Sequence, residues 1–189
     1  MRSPPLSSLF AAGLVALAAA CGDPLSLSPP VFTNRVDTVT VYAVTGTPIN
    51  APSGFLVSLR SAVRLDFYPT FDFVYHIDAA GNRSFLPFDL VVGGTRTFGN
   101  PGLQPTTTPF ADIVIAEQIG YTTRDTVPAL LNQVYYIRSE TASSCGLGTP
   151  FYGKLEVLSF DSAARSVTFQ VLANINCGYR GLEIGLPKK

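Results

Sequence analysis

Residues 36–44 read Val-Asp-Thr-Val-Thr-Val-Tyr-Ala-Val. Apolar and polar side chains in alternation reach opposite sides of the backbone only when the chain is extended, so this run predicts a half-buried strand. The same period recurs at 63–67, where Val63, Leu65 and Phe67 oppose Arg64 and Asp66. It recurs again at 71–77, which sets Phe71, Phe73, Tyr75 and Ile77 on one face and Asp72, Val74 and His76 on the other. Further strand-like runs lie at 55–60, 83–86, 110–117, 121–126, 134–139, 151–160 and 166–173, with a short closing piece at 182–184. Residues 78–82 and 161–165 have the turn chemistry of hairpin connections, and Pro87 should end its strand or confine it to an edge. The chain therefore predicts an all-β domain, a sandwich or barrel of about ten mostly antiparallel strands over residues 35–189.

Composition agrees. Thirteen Phe and eight Tyr suit pleated, half-buried surfaces, and 16 Gly with 15 Pro supply the turns. Residues 91–109, with four Gly, three Pro and the run Thr106-Thr107-Thr108, read as the least regular stretch. Residues 140–150 read as a loop around Cys145. Loops of this kind carry contacts more often than strands do. Thirteen basic and thirteen acidic side chains cancel, with no basic stripe among aromatics, which argues against nucleic acid as a partner. Charged residues make up only 14% of the chain, which implies either an unusually large core or an apolar surface.

The first 20 residues are read as a leader. Met1-Arg2 gives a positive start, and residues 6–20 form an uncharged Leu- and Ala-rich run, shorter than the roughly 20 residues a spanning helix needs. The run stops at Ala18-Ala19-Ala20-Cys21. These residues resemble the lipobox of bacterial lipoproteins, although Ala18 stands where that motif usually has Leu; they also meet the small-x-small rule of ordinary signal cleavage. The resemblance implies that Cys21 becomes the lipidated first residue. Gly22 in place of Asp then implies the outer membrane, and several acyl chains on Cys21 would make a stable anchor. Residues 21–34, rich in Pro and Ser, read as a flexible tether.

Setting Cys21 aside for lipid leaves Cys145 and Cys177, which an exported protein can join as a disulfide. A metal or redox pair is the rival reading, but no Cys-x-x-Cys is present and the one histidine, His76, is distant in sequence. Catalysis finds little to work with. No Gly-x-Ser-x-Gly elbow accompanies His76, and Glu117, Glu140, Glu156 and Glu183 are scattered. Asp72, His76 and Asp78 fall four and two residues apart, a row that would bind a cation weakly or simply face solvent.

Val134-Tyr135-Tyr136-Ile137-Arg138-Ser139, followed by Tyr152-Gly153-Lys154-Leu155-Glu156-Val157, resembles paired strands of HmuY-type haem-binding lipoproteins, and Phe71-Asp72-Phe73 falls where that family has Trp-Asp-Leu. Better-known members hold haem iron with two side chains, commonly His, whereas this chain offers His76 and, past the leader, no Met. The resemblance makes His76 a candidate haem ligand. The sequence as a whole predicts a non-catalytic, lipid-anchored envelope protein without a cofactor. It would bind a protein or small ligand through residues 91–109 and 140–150. A haem-type carrier and an envelope hydrolase are the alternatives.

Overall fold

The computed structural model describes residues 27–93, 99–141, 145 and 148–188. The leader and Cys21 lie outside this range. Ten strands form two five-stranded antiparallel sheets among the described residues. The first contains β2 (Gly54–Leu56), β3 (Ser61–Val63), β4 (Phe73–Ile77), β5 (Arg83–Pro87) and β7 (Val127–Pro128), in the order β3-β2-β4-β5-β7. The second contains β1 (Val36–Tyr42), β6 (Gly102–Thr106), β8 (Val134–Thr141), β9 (Pro150–Asp161) and β10 (Ser166–Asn174), in the order β1-β10-β9-β8-β6. The all-β class expected is observed, and of the two architectures left open, sandwich or barrel, the two sheets form a sandwich.

Alternation along the strands builds the core. Val167, Phe169, Val171 and Ala173 of β10 and Leu155 and Val157 of β9 point between the sheets, where they meet Phe55, Phe73 and Phe85 of the first sheet. Four rings interlock there, with Phe55–Phe73, Phe73–Phe85 and Phe85–Tyr135 centroids 5.3, 5.1 and 5.6 Å apart. The register slips by one residue opposite Thr168 and Phe169, leaving Leu158 as the extra residue of a bulge, and its side chain turns outward. Past Tyr42 the chain crosses to the first sheet, where Ala43 bridges Tyr75 in parallel and closes one side of the sandwich.

Two further apolar clusters lie on the outer faces. Val63, Phe71, Val74 and Phe88 cover the first sheet, while Ile113, Ala116, Tyr136, Tyr152, Leu172 and Leu182 pack on the second. Three packed layers of apolar side chains, joined by many exposed ones, account for the low charge content.

Several expected strands are shorter or different. The run at 55–60 stops at Leu56, and Val57 to Arg60 turn, with Arg60 in the left-handed region. The run at 63–67 stops at Val63, because Phe67 and Tyr68 bond back to Arg64 O. Residues 110–117 begin as a single 3-10 turn, Phe110–Asp112, and continue without a partner strand except at one bridge, Ile115 to Gly181. Residues 121–126 likewise touch the sheet at one bridge, Thr122 to Leu103. Residues 182–184 form no strand. Residues 91–109, expected as irregular, contain β6, which tolerates Pro105 because it is the edge of its sheet. They also contain the end of a short helix, α1 (Phe88–Val92), set between Pro87 and a left-handed Gly93.

Cys145 and Cys177 are bonded, with Cα atoms 5.3 Å apart across 32 residues of chain. In the chain-entropy account such a loop stabilises by about 3.5–4 kcal/mol. The bond lies where β10 finishes. The described part of the expected flexible tether, residues 27–34, is docked at the same end. Asn176 Oδ1 accepts from Val31 N and Phe32 N at 2.7 and 2.8 Å, and Asn34 pairs with Gly185 through both backbone groups.

Candidate functional site

The outer face of the second sheet is only partly covered. Residues 110–116 and 180–184 pair with each other through Ala116 N to Arg180 O and Leu182 N to Val114 O, both 2.8 Å, and form a flap across the strands. Asn174 Nδ2 of β10 donates to Gly181 O at 2.8 Å and fixes the flap to the sheet beneath. Beside the flap runs a groove of about 1150 Å³, a volume suited to a small ligand or short peptide.

The register sets its floor. Gln170, Glu156, Val134 and Thr106 are successive partners across β10, β9, β8 and β6. With Val36 of β1 included, the lining spans five strands, about 19 Å at the usual strand spacing. Gln170 Nε2 donates to Glu156 Oε2 at 2.6 Å and orients the carboxylate. Gln133 Nε2 donates to Thr106 O at 2.7 Å, holding one end of the wall. Val36, Val114 and Ile184 supply an exposed apolar rim, and Glu183 adds a second carboxylate.

Lys154 holds flap and floor together. It stands on β9 between Leu172 and Tyr136, and only 4% of it is exposed. Its Nζ donates to Phe110 O and Ile113 O, both at 2.7 Å, and lies 4.6 Å from the centre of the Phe110 ring. Burial lowers its pKa, while Asp112 and Glu183 act the other way. An ammonium used in this way is a clamp, because its charge is spent on backbone carbonyls. Its position in Tyr152-Gly153-Lys154-Leu155-Glu156-Val157 marks an outward side chain, and nothing local signals that a distant segment covers it. Gly153 beside it permits the close packing of β9, since a Cβ there would stand 2.7 Å from Leu172 O.

The expected row of Asp72, His76 and Asp78 does not form. Asp72 is buried, accepting from Val57 N at 2.7 Å and Glu140 N at 3.1 Å, and so ties the first sheet to the second. Burial pushes its pKa up to about 7 against those two donors, and the nearby Glu140 adds to the rise. Asp78 instead closes its own hairpin through Asn82 N and Nδ2 at 2.8 and 2.7 Å, bonds that hold its carboxyl below the usual range. A solvated face fails because chain from 63 to 72 and α1 lie over this side of the sheet; Val74, apolar on the supposedly wet face, is the trace of that cover.

His76 is half-buried on that sheet, in a separate pocket of about 500 Å³ with Asp78, Ser84, Pro128 and Leu130. Its Nδ1 is buried without a hydrogen-bond partner. Among the described residues no three His, Cys, Asp or Glu side chains group as a metal site. Of the two loops expected to carry contacts, only Thr106 to Pro109 lines the groove, and 140–150 contributes none of its lining. Compared with protein-family models, curated proteins and solved structures, the chain matches none.

Proposed function

We propose that this protein is a lipid-anchored binding component of the bacterial envelope, held at the outer membrane by Cys21, whose ligand seat is the groove of the second sheet. The observation that carries the reading is the clamped flap. A buried lysine keeps a two-segment flap on the sheet, and beside it stays open a row of hydrogen-bonding side chains, Gln170, Glu156, Gln133 and Thr106. Such a row, rimmed by Val36 and Val114, suits an extended segment of a partner protein, neutral or basic because Glu156 and Glu183 line the seat. The alternatives draw less support. His76 lies on the other sheet from Glu156, and its own pocket has no Phe or Tyr among its lining residues.

Site-specific photocrosslinking in cells tests the seat. A crosslinker at Thr108 should give a discrete adduct that Glu156→Arg abolishes, and one at Ala163 in the 161–165 turn should not. Equal adducts at both positions, or an adduct indifferent to Glu156→Arg, would sink the reading. Cys21→Ser should release the protein from the membrane fraction.

A further inference from the structure

We propose that the end of the sandwich where the tether docks is a bilayer-contact face, with Val31, Phe32, Leu59, Ile184 and Leu186 seated in the lipid headgroup region. The proposal rests on Cys21 being the anchor. Its own foundation is how far the chain after Cys21 is fixed to the domain. Asn176 grips Val31 and Phe32 through three hydrogen bonds of 2.7–2.8 Å, and Tyr179 OH donates to Ser28 O at 3.0 Å. Leu27 lies where Gly178 leaves room: a Cβ on Gly178 would stand 2.6 Å from its side chain. Only the stretch from Cys21 to Leu27 remains between the lipid and this fixed segment, and fully extended it reaches about 20 Å. The tethered end is therefore held within about 20 Å of the membrane.

That end has the side chains for the contact. Val31 is 76% exposed and Ile184 75%, with Phe32, Leu59 and Leu186 also exposed. Pairing of Asn34 with Gly185 brings the first and last segments of the described chain side by side, and Arg60 Nη1, donating to Thr33 O at 3.1 Å, places Leu59 next to them. Lys188 is exposed beside the group, while Arg35 is paired with Asp37 at 3.0 Å and Glu183 is exposed next to Ile184, so the contact rests on the apolar side chains rather than on charge. The opposite end also exposes Ile49, Leu130 and Leu131, so apolarity alone does not choose. The tether does, because the nine residues of β10 put that end about 27 Å further away.

The chain contains no Trp, so a single introduced Trp reports on one position. Full-length protein, processed in cells and reconstituted into phosphatidylethanolamine–phosphatidylglycerol vesicles, would carry either Ile184→Trp or Ile49→Trp, with brominated acyl chains as quencher. Ile184→Trp should lose most of its emission and shift to the blue, while Ile49→Trp should be unaffected. Phe32→Trp serves as a second reporter of the same face should Ile184→Trp fail to fold. Protein that floats with the vesicles but shows no quenching at either reporter, or equal quenching at Ile49→Trp, overturns the contact face and leaves the anchor standing. Protein that does not float, with an unmodified N-terminus by mass, removes the anchor and the contact face together.

Discussion

The two outer faces of the sandwich are closed by opposite means. On the first sheet, Val63, Phe71, Val74 and Phe88 pack together, and Phe71 meets Phe88 with ring centroids 5.0 Å apart. On the second, the flap has apolar contacts of its own, yet its leading edge is held by the Lys154 ammonium on Phe110 O and Ile113 O. Beside the apolar closure lies the small pocket around His76; beside the charged clamp lies a polar groove more than twice as large. The difference lies in what can stay wet. An apolar cover gains by excluding all water, whereas a clamp bonds two carbonyls and lets the neighbouring Glu156 and Gln170 stay accessible.

Truncating the apolar cover should have the largest effect. Phe71→Ala removes a packed ring and should cost about 3 kcal/mol in urea unfolding. Amide exchange in the flap, at Ala116 and Leu182, should stay as slow relative to global unfolding as in the wild type. A Phe71→Ala protein whose flap amides alone became fast would show the two faces to be coupled.

Lys154→Met keeps an unbranched apolar stem but leaves two carbonyls without their donor, for a loss of about 2 kcal/mol. Here the local signature should appear: Ala116 and Leu182 exchange faster, and residues of the first sheet do not. Unchanged flap protection would mean that the apolar contacts of Ile113, Ala116 and Leu182 suffice and that no clamp exists.

How much of this was legible in the sequence depends on whether an element meets the rest of the protein on one side or two. β1, β9 and β10 alternate cleanly because each has one face in the central core, and their sequences mark them almost to the residue. Cys145 and Cys177 could be paired by elimination. Residues 110–117 look like a strand because Phe110, Ile113 and Ala116 are apolar at short spacing, but those side chains serve the flap, and no neighbouring strand takes the backbone. β6 was hidden by Gly102 and Pro105, residues a strand accepts only at an edge, and edge position is a property of the whole sheet. Lys154 and Asp72 were out of reach for the same reason: the segments that bury them, 110–113 for one and 57 with 140 for the other, are remote in the chain.

Asp72 gives the comparison a pH axis. A carboxyl lifted from 3.8 to about 7 binds a proton in the folded state that the unfolded chain has already lost. Its contribution to stability is therefore complete below about pH 4, declines as pH rises through 7, and is gone above. Wild-type stability, followed by urea midpoints between pH 5 and 8, should fall along this window, and Asp72→Asn should flatten the fall. At pH 5 Asp72→Asn should cost about 1 kcal/mol, because its amide turns a donor toward Val57 N or Glu140 N. A slope that survives Asp72→Asn would assign the titration elsewhere.

The smallest effect belongs to His76, at the open remnant of the apolar face. It pairs across β4 and β5 with Ser84, half-buried, at the end where the cover of Val63, Phe71 and Phe88 no longer reaches. Its Nδ1 has no hydrogen-bond partner to lose, and its carboxylate neighbour Asp78 is engaged with Asn82. His76→Ala should therefore change stability by no more than about 0.5 kcal/mol. Haem asks for more than an available nitrogen. A tight site needs an apolar cleft for the macrocycle, and the lining here is Asp78, Asn82, Arg83, Ser84 and Thr126 with Pro128, Ala129 and Leu130. A haem titration of the purified protein should accordingly show no sharp Soret shift. A shift present in the wild type and absent in His76→Ala would make this pocket, and not the groove beside Lys154, the place where the protein binds its ligand.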